Sequence, residues 1–528
     1  MTDPPPTATD VRDAPLIPAL HRDGPSVFGL RRLLQEAHKI RDLAIPIPPA
    51  ASALLRLLYA IVARITRLDD PDLDADEWTA ARNALLGADG GFDPDAIDGY
   101  LDREDLADRW YLFGGARPFL QDASLTTVCA ERAGVNKLVF GRAAANTPVW
   151  WEHSTNEDPS PLRTEEAFWH LLVQHYYGPS GKCSARRVAG KAVSNATAGP
   201  LRRTVSFHPL GATLYESLIL GVPQPGSAES DAEDVCPWEA PALPDPLAPD
   251  TLVTWPGDLL TGRSRDAILL VPSEDHEWVI DAYITVGTTQ GPREAIDPYV
   301  IIDHSKDGRP YARRADASRA LWRDLDALLL TSTPAATCRP TIFDIWNQMP
   351  ARVGERLRVR AYGFDQDGQQ VDHSWFTAVT PPVLGWSQEN DPAMAHRVAA
   401  CRATAEDVAK KLEFVSALAW AGAFGPPPKD GDRVKVDPRR PGPWRKTAMA
   451  AYWSAAERGF WSLLETDVAP LTVFIADADR ALTAAVGGGQ HRQRTARALA
   501  HARAILWSML AGSAPTPGSS TDHAEATA

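Results

Sequence analysis

Glycine and basic residues stand together in the stretch GPSGKCSARRVAGK at 178–191, directly after a predicted helix. Glycine lets a backbone approach a ligand closely, and Lys and Arg side chains bind phosphate groups. This combination suits contacts to a nucleic acid. A helix end followed by a turn is the alternative explanation of the glycines. The candidate residues are Gly178, Ser180, Gly181, Lys182, Arg186, Arg187 and Lys191.

The positive charges of this region have no acidic neighbours in the sequence. Residues 167–215 contain no Asp or Glu, although the whole chain has a formal net charge of −14. An acidic chain is unlike a free-standing nucleic-acid binder, so the charge indicates a local basic patch. Pairing with carboxylates from elsewhere in the fold is the alternative. The basic residues are Lys182, Arg186, Arg187, Lys191, Arg202 and Arg203.

A glutamine-bearing hairpin is predicted at 356–378, RLRVRAYGFDQDGQQVDHSWFTA. Its Asp-Gly pair is a hairpin turn signal between two strand-like arms. Gln366, Gln369 and Gln370 surround the turn, and neutral amides there could intrude between base pairs. An ordinary polar hairpin tip would have the same pattern.

Motifs of several enzyme classes are missing. The GPSGKCS stretch fails as a Walker A loop because Tyr176 and Cys183 stand where that motif needs Gly and Ser or Thr. The sequence has no HExxH, GxSxG or CxxC, and its five cysteines are widely spaced. We therefore predict a binding protein that is not an enzyme and has no cofactor and no metal. An enzyme of unrecognised type is the alternative.

The elements around these residues indicate an α+β fold. Helical periodicity appears at 50–67, 75–86 and 164–177, and strand-like runs at 267–272, 278–286, 299–303 and 356–364. Segment 222–256, rich in Pro, Asp and Glu, is expected to be a surface loop. Four amphipathic stretches predict a C-terminal four-helix bundle, with helices at about 393–424, 443–466, 470–486 and 490–511.

The predicted domains follow from this order of elements. They are a disordered N-terminus at 1–15, a mixed α/β large domain at 16–390, the four-helix bundle at 391–512 and a disordered tail at 513–528. The N-terminus lacks the order of a signal peptide, and no apolar run approaches the roughly 20 residues of a membrane span. We expect a cytoplasmic protein without a membrane partner.

The chain resembles the CasA large subunits of type I-E CRISPR Cascade complexes over most of its length. The shared landmarks occur in the order that the family has them, and the glutamine-bearing hairpin and the four helices follow. The landmarks are FGGARPFLQ at 113–121, NKLVFGR at 136–142, HLLVQHYYGPSGKCSARRVAGK at 170–191, NATAGPLRRTVSFHPLG at 195–211, WPGDLLTGRSRDAILLVP at 255–272 and ASRALWRDLDALL at 317–329.

The resemblance implies roles for these residues. The family's glycine loop corresponds to 178–182 and its glutamine wedge to 364–370, with Gln366 as the expected tip, followed by Gln369. The family's lysine finger should fall at 284–293, where no Lys occurs, so Arg293 or Lys306 would replace it. A hydrophobic loop that contains an Asn would also lie near the motif. The residues of that loop are Asn136, Lys137, Val139 and Phe140.

The resemblance also implies a function. A CasA subunit recognises the protospacer-adjacent motif in double-stranded DNA, begins strand separation for guide RNA pairing and provides the platform for a helicase–nuclease. Its partners would be the other Cascade subunits, the CRISPR guide RNA, target DNA and that helicase–nuclease. A scaffold subunit that reads no motif is the second alternative.

Overall fold

The structure is a computed structural model of the whole chain. It describes residues 9–88, 90–144, 158–225, 232–249, 251–291, 293, 295–331, 337–345, 348–368, 371–426, 434–488 and 492–511. The described residues divide into two compact units. Unit 1 consists of residues up to 321 together with 327–390, and unit 2 of 322–326 together with residues from 391 onward.

Helices form much of both units. Their bounds are α1 Leu30–Gln35, α2 Pro48–Thr66, α3 Ala75–Gly87, α4 Pro94–Leu101, α5 Leu125–Val128, α6 Val135–Leu138, α7 Thr164–Tyr177, α8 Leu214–Leu220, α9 Gly257–Thr261, α10 Leu325–Leu329, α11 Ala351–Gly354, α12 Pro392–Phe424, α13 Pro443–Leu464, α14 Pro470–Val486 and α15 Gln493–Ala511.

The described strands belong to unit 1. They are β1 Ile17–His21, β2 Gly24–Phe28, β3 Ile40–Leu43, β4 Leu162–Arg163, β5 Gly181–Val188, β6 Lys191–Ala196, β7 Val205–Leu210, β8 Asp266–Pro272, β9 Trp278–Val286, β10 Ile302–His304, β11 Pro310–Ala312, β12 Arg358–Gln366 and β13 Asp372–Val379. They pair in the small sheets β2-β1-β3, β13-β12-β7, β4-β9-β8, β5-β6 and β10-β11.

Helix α2 is the centre of unit 1. Proline at its first positions fits a helix start, where backbone N–H groups have no partner. Its apolar side chains lie on all faces, and α7, α8, α9 and β12 pack around it. Its length and composition would suit a membrane span, contrary to our expectation of no such run, but 89% of its apolar window is buried inside the protein. The helix is therefore built as a core helix.

A buried charge network fixes α2 to the chain around Asp297. Arg56 donates two hydrogen bonds to the Asp297 carboxylate, at 2.7 and 3.0 Å, and Arg263 donates a third at 2.8 Å. Burial raises the pKa of Asp297, but the two guanidiniums outweigh it and hold that pKa below its usual value. Buried charges are tolerated only when they are paired in this way.

Sheet β13-β12-β7 carries the predicted hairpin. Strand β12 lies between β7 and β13, and both pairings are antiparallel. All six residues of β7 are buried, whereas every residue of β13 is half-buried or exposed. The hairpin therefore projects from a sheet whose other edge is anchored in the core.

Unit 2 is dominated by four long helices, α12 to α15. The Asp391 side chain caps α12 by accepting a hydrogen bond from the backbone N–H of Met394 at 3.0 Å. Contacts join α12 to each of the other three helices. An aromatic cluster of Trp322, Trp453 and Phe460 adds to this core, with the Arg323 guanidinium 3.7 Å from the Trp453 ring centroid.

The structure confirms the α+β fold class and the four C-terminal helices, with boundaries that differ by at most a few residues. The strand expected at 299–303 is wrong, because the strand covers only Ile302–His304. The preceding Tyr299 is buried, and its ring hydroxyl donates to Gly221 O at 2.5 Å, so side-chain burial and not a ladder explains the apolar run.

The expectation of a surface loop at 222–256 is also corrected. Cys236 and Trp238 are 0% and 3% exposed. Arg64 on α2 binds Asp234 at 3.0 Å and Glu239 at 2.9 Å, so the acidic residues of this segment neutralise a largely buried guanidinium. The acidic composition of this segment predicted exposure to solvent, because its basic partner, Arg64, lies far away in the sequence.

Replacing Asp297 by Ala is expected to destabilise unit 1 by about 3–5 kcal/mol, because two buried guanidiniums lose their carboxylate. Urea denaturation followed by tryptophan fluorescence measures this difference. The control is Asp105→Ala, which removes a surface ion pair with Arg103 and should leave the unfolding midpoint unchanged. Equal midpoints for the two variants would contradict the role assigned to Asp297.

Candidate nucleic-acid interface

The predicted glycine loop and the predicted hairpin turn lie in direct contact. The loop connects α7 to β5, and the turn connects β12 to β13. Ser180 Oγ in the loop donates to the carbonyl oxygen of Gly368 in the turn at 2.9 Å. Two segments that are separated by 188 positions in the sequence thus form one surface.

The buried side chain of Arg202 connects the glycine loop to the hairpin turn. Its guanidinium donates to Tyr177 O at 2.9 Å, to Asp367 O at 3.1 Å and to the Asp372 carboxylate at 3.0 Å. The residue is 6% exposed. The planar guanidinium can serve several acceptors in fixed directions, so Arg202 sets the spacing between the loop and the turn. We call this set of contacts the loop–turn clamp.

The expected position of Gln366 needs correction. It is the last residue of β12 and only 5% exposed. Its amide nitrogen donates to the Asp372 carboxylate at 2.7 Å and to Tyr177 O at 3.4 Å, and its amide oxygen accepts from Arg203 N at 3.3 Å. Gln366 is therefore a member of the clamp and not the tip of the hairpin. Gln369 and Gln370 lie outside the described residues.

Gly178 ends α7, and its N–H donates to Gln174 O at 3.0 Å. A Cβ atom at this position would lie 2.1 Å from Asp266 Oδ2 and 2.7 Å from Gln174 O, so only glycine fits. Gly181 has φ +118°, a backbone conformation that side chains disfavour, and it opens β5. Both glycines are thus required by local geometry, and they leave a loop of backbone beside the turn.

Asp266 supports the glycine loop from inside the protein. Burial raises the pKa of its carboxyl to about 8, although Lys137, Arg265 and Arg202 act in the opposite direction. At neutral pH the carboxyl is therefore mostly protonated. A neutral acid can lie against the Gly178 backbone without bringing negative charge to the surface above it.

The basic stretch separates into two groups. Lys182, Arg187 and Lys191 are exposed on the β5–β6 hairpin, and Lys182 Nζ lies 2.6 Å from Ser194 Oγ. Arg186, predicted to bind DNA, is 5% exposed and pairs with Asp122 at 2.8 Å. Its prediction as a phosphate contact is corrected, because its alternation along β5 points it into the core and to a carboxylate.

The Asn-containing segment at 136–140 lies against the hairpin. Asn136 is 1% exposed, Phe140 is 9% exposed, and Lys137 and Val139 are half-buried. The Phe140 ring packs edge-on to Phe364 of β12, with 5.5 Å between ring centroids. Phe364 in turn lies 5.9 Å from Tyr177. This aromatic contact positions the segment beside the loop–turn clamp.

The two candidates for the lysine finger differ in their surroundings. Arg293 donates to both carboxylate oxygens of Asp258, at 2.8 and 2.5 Å, and to Leu252 O at 2.8 Å. Lys306 is exposed in the turn between β10 and β11. The chain after β11 reaches the basic patch, where Ala315 N donates to Arg203 O at 2.7 Å. Lys306 is thus the more available cation of the two.

A serine and a histidine that lie close enough to resemble a catalytic pair are both buried in the core. Ser52 Oγ lies 3.2 Å from His208 Nε2, but both residues are 0% exposed. Burial holds the pKa of His208 well below its usual value. Among the described residues, no group of three or more His, Cys, Asp and Glu side chains could hold a metal ion. The exposed side chains near the loop include the cations Lys182, Arg187 and Lys191, which suit binding to phosphate groups.

Sequence reasoning missed the supporting roles of Arg202, Asp372 and Asp266. Arg202 was recognised only as a member of the basic stretch. Because no acid occurs across 167–215, any buried arginine there must find its carbonyls and carboxylates elsewhere in the fold. Nothing in the local pattern indicated which of the six cations this would be.

Comparisons with known proteins agree on one family. The family model described as CRISPR-associated protein Cse1 matches residues 10–487. The CRISPR-associated protein CasA/Cse1 of Thermus thermophilus is 29% identical over 323 residues. That alignment spans 60% of this chain and 59% of the relative's length.

Solved structures are similar over nearly the whole chain. A chain of a CRISPR RNA-guided surveillance complex is 40% identical with a TM-score of 0.85, covering 95% of this chain and 100% of that one. The structure of Thermus thermophilus CasA (Cse1) is 22% identical with a TM-score of 0.70, covering 96% of this chain and 100% of that one. The second likeness is one of fold alone.

Replacing Arg202 by Lys should loosen the loop–turn clamp. A lysine keeps the charge but cannot serve the three acceptors at once. Losing charged hydrogen bonds of about 1.5–3 kcal/mol each should speed amide hydrogen exchange in the peptide 366–373 about 10- to 100-fold. Hydrogen–deuterium exchange with mass spectrometry measures this. Arg187→Lys serves as the control, and unchanged exchange in the Arg202 variant would contradict the clamp.

The Asp266 carboxyl should give unfolding a defined pH dependence. It ionises near 3.8 in the unfolded chain but at about 8 in the folded one. Between these pH values the folded state holds a proton that the unfolded state has released, so stability falls as the pH rises. Asn mimics the protonated acid. The free energy of unfolding of Asp266→Asn, relative to that of the wild type, should therefore increase by up to about 1.4 kcal/mol for each unit of pH.

Urea denaturation at pH 5, 6, 7 and 8 measures this gain. Asp13→Asn, which changes an exposed carboxylate, should show a constant difference from the wild type across the series. A pH-independent difference for Asp266→Asn would contradict the burial of an unpaired acid.

Proposed function

Because the chain belongs to the CRISPR-associated protein Cse1 family, we propose that it is the large subunit of a type I-E CRISPR surveillance complex and reads the motif beside a DNA target. The observation that carries the proposal is the loop–turn clamp, in which Arg202 ties the glycine loop to the hairpin turn. Three exposed cations on the adjacent β5–β6 hairpin can meet phosphates.

The glycine loop supplies the close contact. With Gly178 and Gly181 lacking side chains, the backbone can lie against a DNA groove, and the half-buried Ser180 fixes its distance from the turn. Lys182, Arg187 and Lys191 add affinity that does not depend on base sequence. We place this contact in the minor groove, where the pattern of donors and acceptors is degenerate, so several related motifs should be tolerated.

The hairpin turn supplies the wedge. Gln369 and Gln370 are the proposed tip, because Gln366 is held in the clamp. Inserting a side chain between base pairs costs a few kcal/mol of unstacking. Because Arg202 holds the turn in place, the turn can keep its position while the side chain is inserted. Lys306 is our choice for the lysine finger, since Arg293 is bound to Asp258.

The remaining parts of the proposal concern partners. Strand separation at the motif lets the guide RNA, held by the other subunits, pair with the target and supply sequence specificity. The helical unit 2 contacts the displaced strand or neighbouring subunits, and the subunit is the platform for the helicase–nuclease. The protein itself acts in the cytoplasm and cuts nothing. With a net charge of −14 it should bind DNA weakly on its own.

A gel-shift titration of the assembled complex tests the proposal. Complexes with the wild type, without this subunit, and with Gln369→Ala plus Gln370→Ala are offered guide-matched duplexes whose flanking motif is intact or scrambled. The wild type should prefer the intact motif about tenfold or more, and the double variant should lose that preference. Gln224→Ala, a glutamine outside the hairpin, is the matched control.

A second double variant separates motif reading from general affinity. Arg187→Ala plus Lys191→Ala should weaken binding to both duplexes by a similar factor and lower the salt slope by about 2. If binding of the complex is indifferent to this subunit or to the motif, the scaffold function replaces motif reading.

A further inference from the structure

A cavity of about 360 Å³ lies in unit 1, and its lining includes Asp266, the carboxyl that lies against Gly178. The end of α7, the start of β8 and the segment 117–122 enclose it, and the chain around Trp238 closes another side. Ligand sites in proteins commonly begin at about this size. The cavity is large enough for a mononucleotide.

Arginines dominate the charged lining of the cavity. Three of them are paired with carboxylates: Arg186 with Asp122, Arg263 with Asp297 and Arg293 with Asp258. The complete set is Arg109, Arg117, Arg186, Arg263, Arg265 and Arg293. Arg265 donates to Thr197 Oγ1 at 2.9 Å and to Gln290 O. Arg109 and Arg117 are the remaining two.

Arg117 has no carboxylate partner among the described residues. Its Nη atoms donate to the carbonyl oxygens of Ala240 and, at 3.2 Å, Pro237, which hold the side chain in place without cancelling its charge. Burial lowers the pKa of Arg117, the charge of Arg109 lowers it further, and the carboxylate of Asp108 acts in the opposite direction. Both guanidiniums line the cavity. An ion pair joins Arg109 to the exposed Asp108 at 3.3 Å.

The carboxylate that pairs with Arg109, Asp108, is exposed and lies outside the lining, so solvent screens its charge. The pKa of Asp266 is raised to about 8 by burial, so this group is mostly neutral. Asp245 is exposed, and its Oδ1 accepts a hydrogen bond from the N–H of Leu247 at 2.9 Å within its own turn. The lining therefore holds six guanidiniums against three carboxyls, and Arg109 and Arg117 belong to this excess.

The rest of the lining is largely apolar. Leu57, Leu172, Pro118 and Leu243 provide walls without hydrogen-bonding side chains, next to the buried Trp238. A small anion bound by the guanidiniums would leave the apolar part of the cavity unfilled. A ligand that fills it needs an anionic end and a flat or apolar body.

We propose that this cavity binds a small phosphate-bearing molecule of mononucleotide size, with its phosphate between Arg109 and Arg117. Paired guanidiniums bind phosphate oxygens through charged, directional hydrogen bonds. The proposal does not depend on the reading of DNA, because no residue of the loop–turn clamp takes part.

Isothermal titration calorimetry of the full chain tests this, with each of the four ribonucleoside monophosphates as ligand and with adenosine and inorganic phosphate for comparison. At least one monophosphate should bind at one site, adenosine should not bind, and inorganic phosphate should bind more weakly. Arg109→Gln and Arg117→Gln should each weaken the nucleotide about tenfold or more. Arg109→Gln loses one ion pair, with the exposed Asp108, and keeps a side chain that can donate hydrogen bonds.

Two controls locate the site. Arg352→Gln removes another guanidinium that donates to a backbone carbonyl, that of Leu86, and should leave binding unchanged. Arg187→Gln plus Lys191→Gln should also leave it unchanged, which separates the cavity from the exposed basic hairpin. Absence of binding by all four monophosphates, equal affinity for phosphate alone, or unaltered binding by both cavity variants would overturn the proposal.

Discussion

A buried arginine that must satisfy its hydrogen bonds organises the functional surface of this protein. Arg202 would be costly to bury alone, and it is stable because Tyr177, Asp367 and Asp372 supply acceptors from the end of α7 and from both sides of the hairpin turn. Those acceptors border the glycine loop and the hairpin. The need to pair the charge of Arg202 thus fixes the relative position of the glycine loop and the hairpin turn, since neither can move without breaking hydrogen bonds to its guanidinium.

The same requirement explains how an acidic chain can present a positive surface. Arg186 and Arg202 pair with carboxylates inside the protein, whereas Lys182, Arg187 and Lys191 form no ion pair among the described residues and remain exposed. Some of the acids that give the chain its net charge of −14 are used elsewhere, for example with Arg64. The net charge of the chain therefore does not predict the charge of this surface, which depends on which basic side chains have a carboxylate partner in the fold.

The long helices and the hairpin could be predicted from the sequence, because apolar periodicity and turn residues are local signals. The family-level order of motifs placed the loop and the hairpin in one site. The inward position of Gln366, the burial of Arg186 and the burial of Trp238 could not be predicted. Each depends on a partner that lies far away in the sequence, and single-sequence patterns carry no record of which distant groups meet.

The close approach of Gly178 to Asp266 also constrains how this surface can change. The two positions share one volume, because a methyl group at 178 would occupy the place of the carboxyl oxygen. A smaller residue at position 266 would remove only one of two obstacles, because the backbone oxygen of Gln174 in α7 lies 2.7 Å from the same Cβ position. A change at position 266 alone therefore cannot compensate for a side chain at position 178, and the loop can vary in evolution only at its other positions.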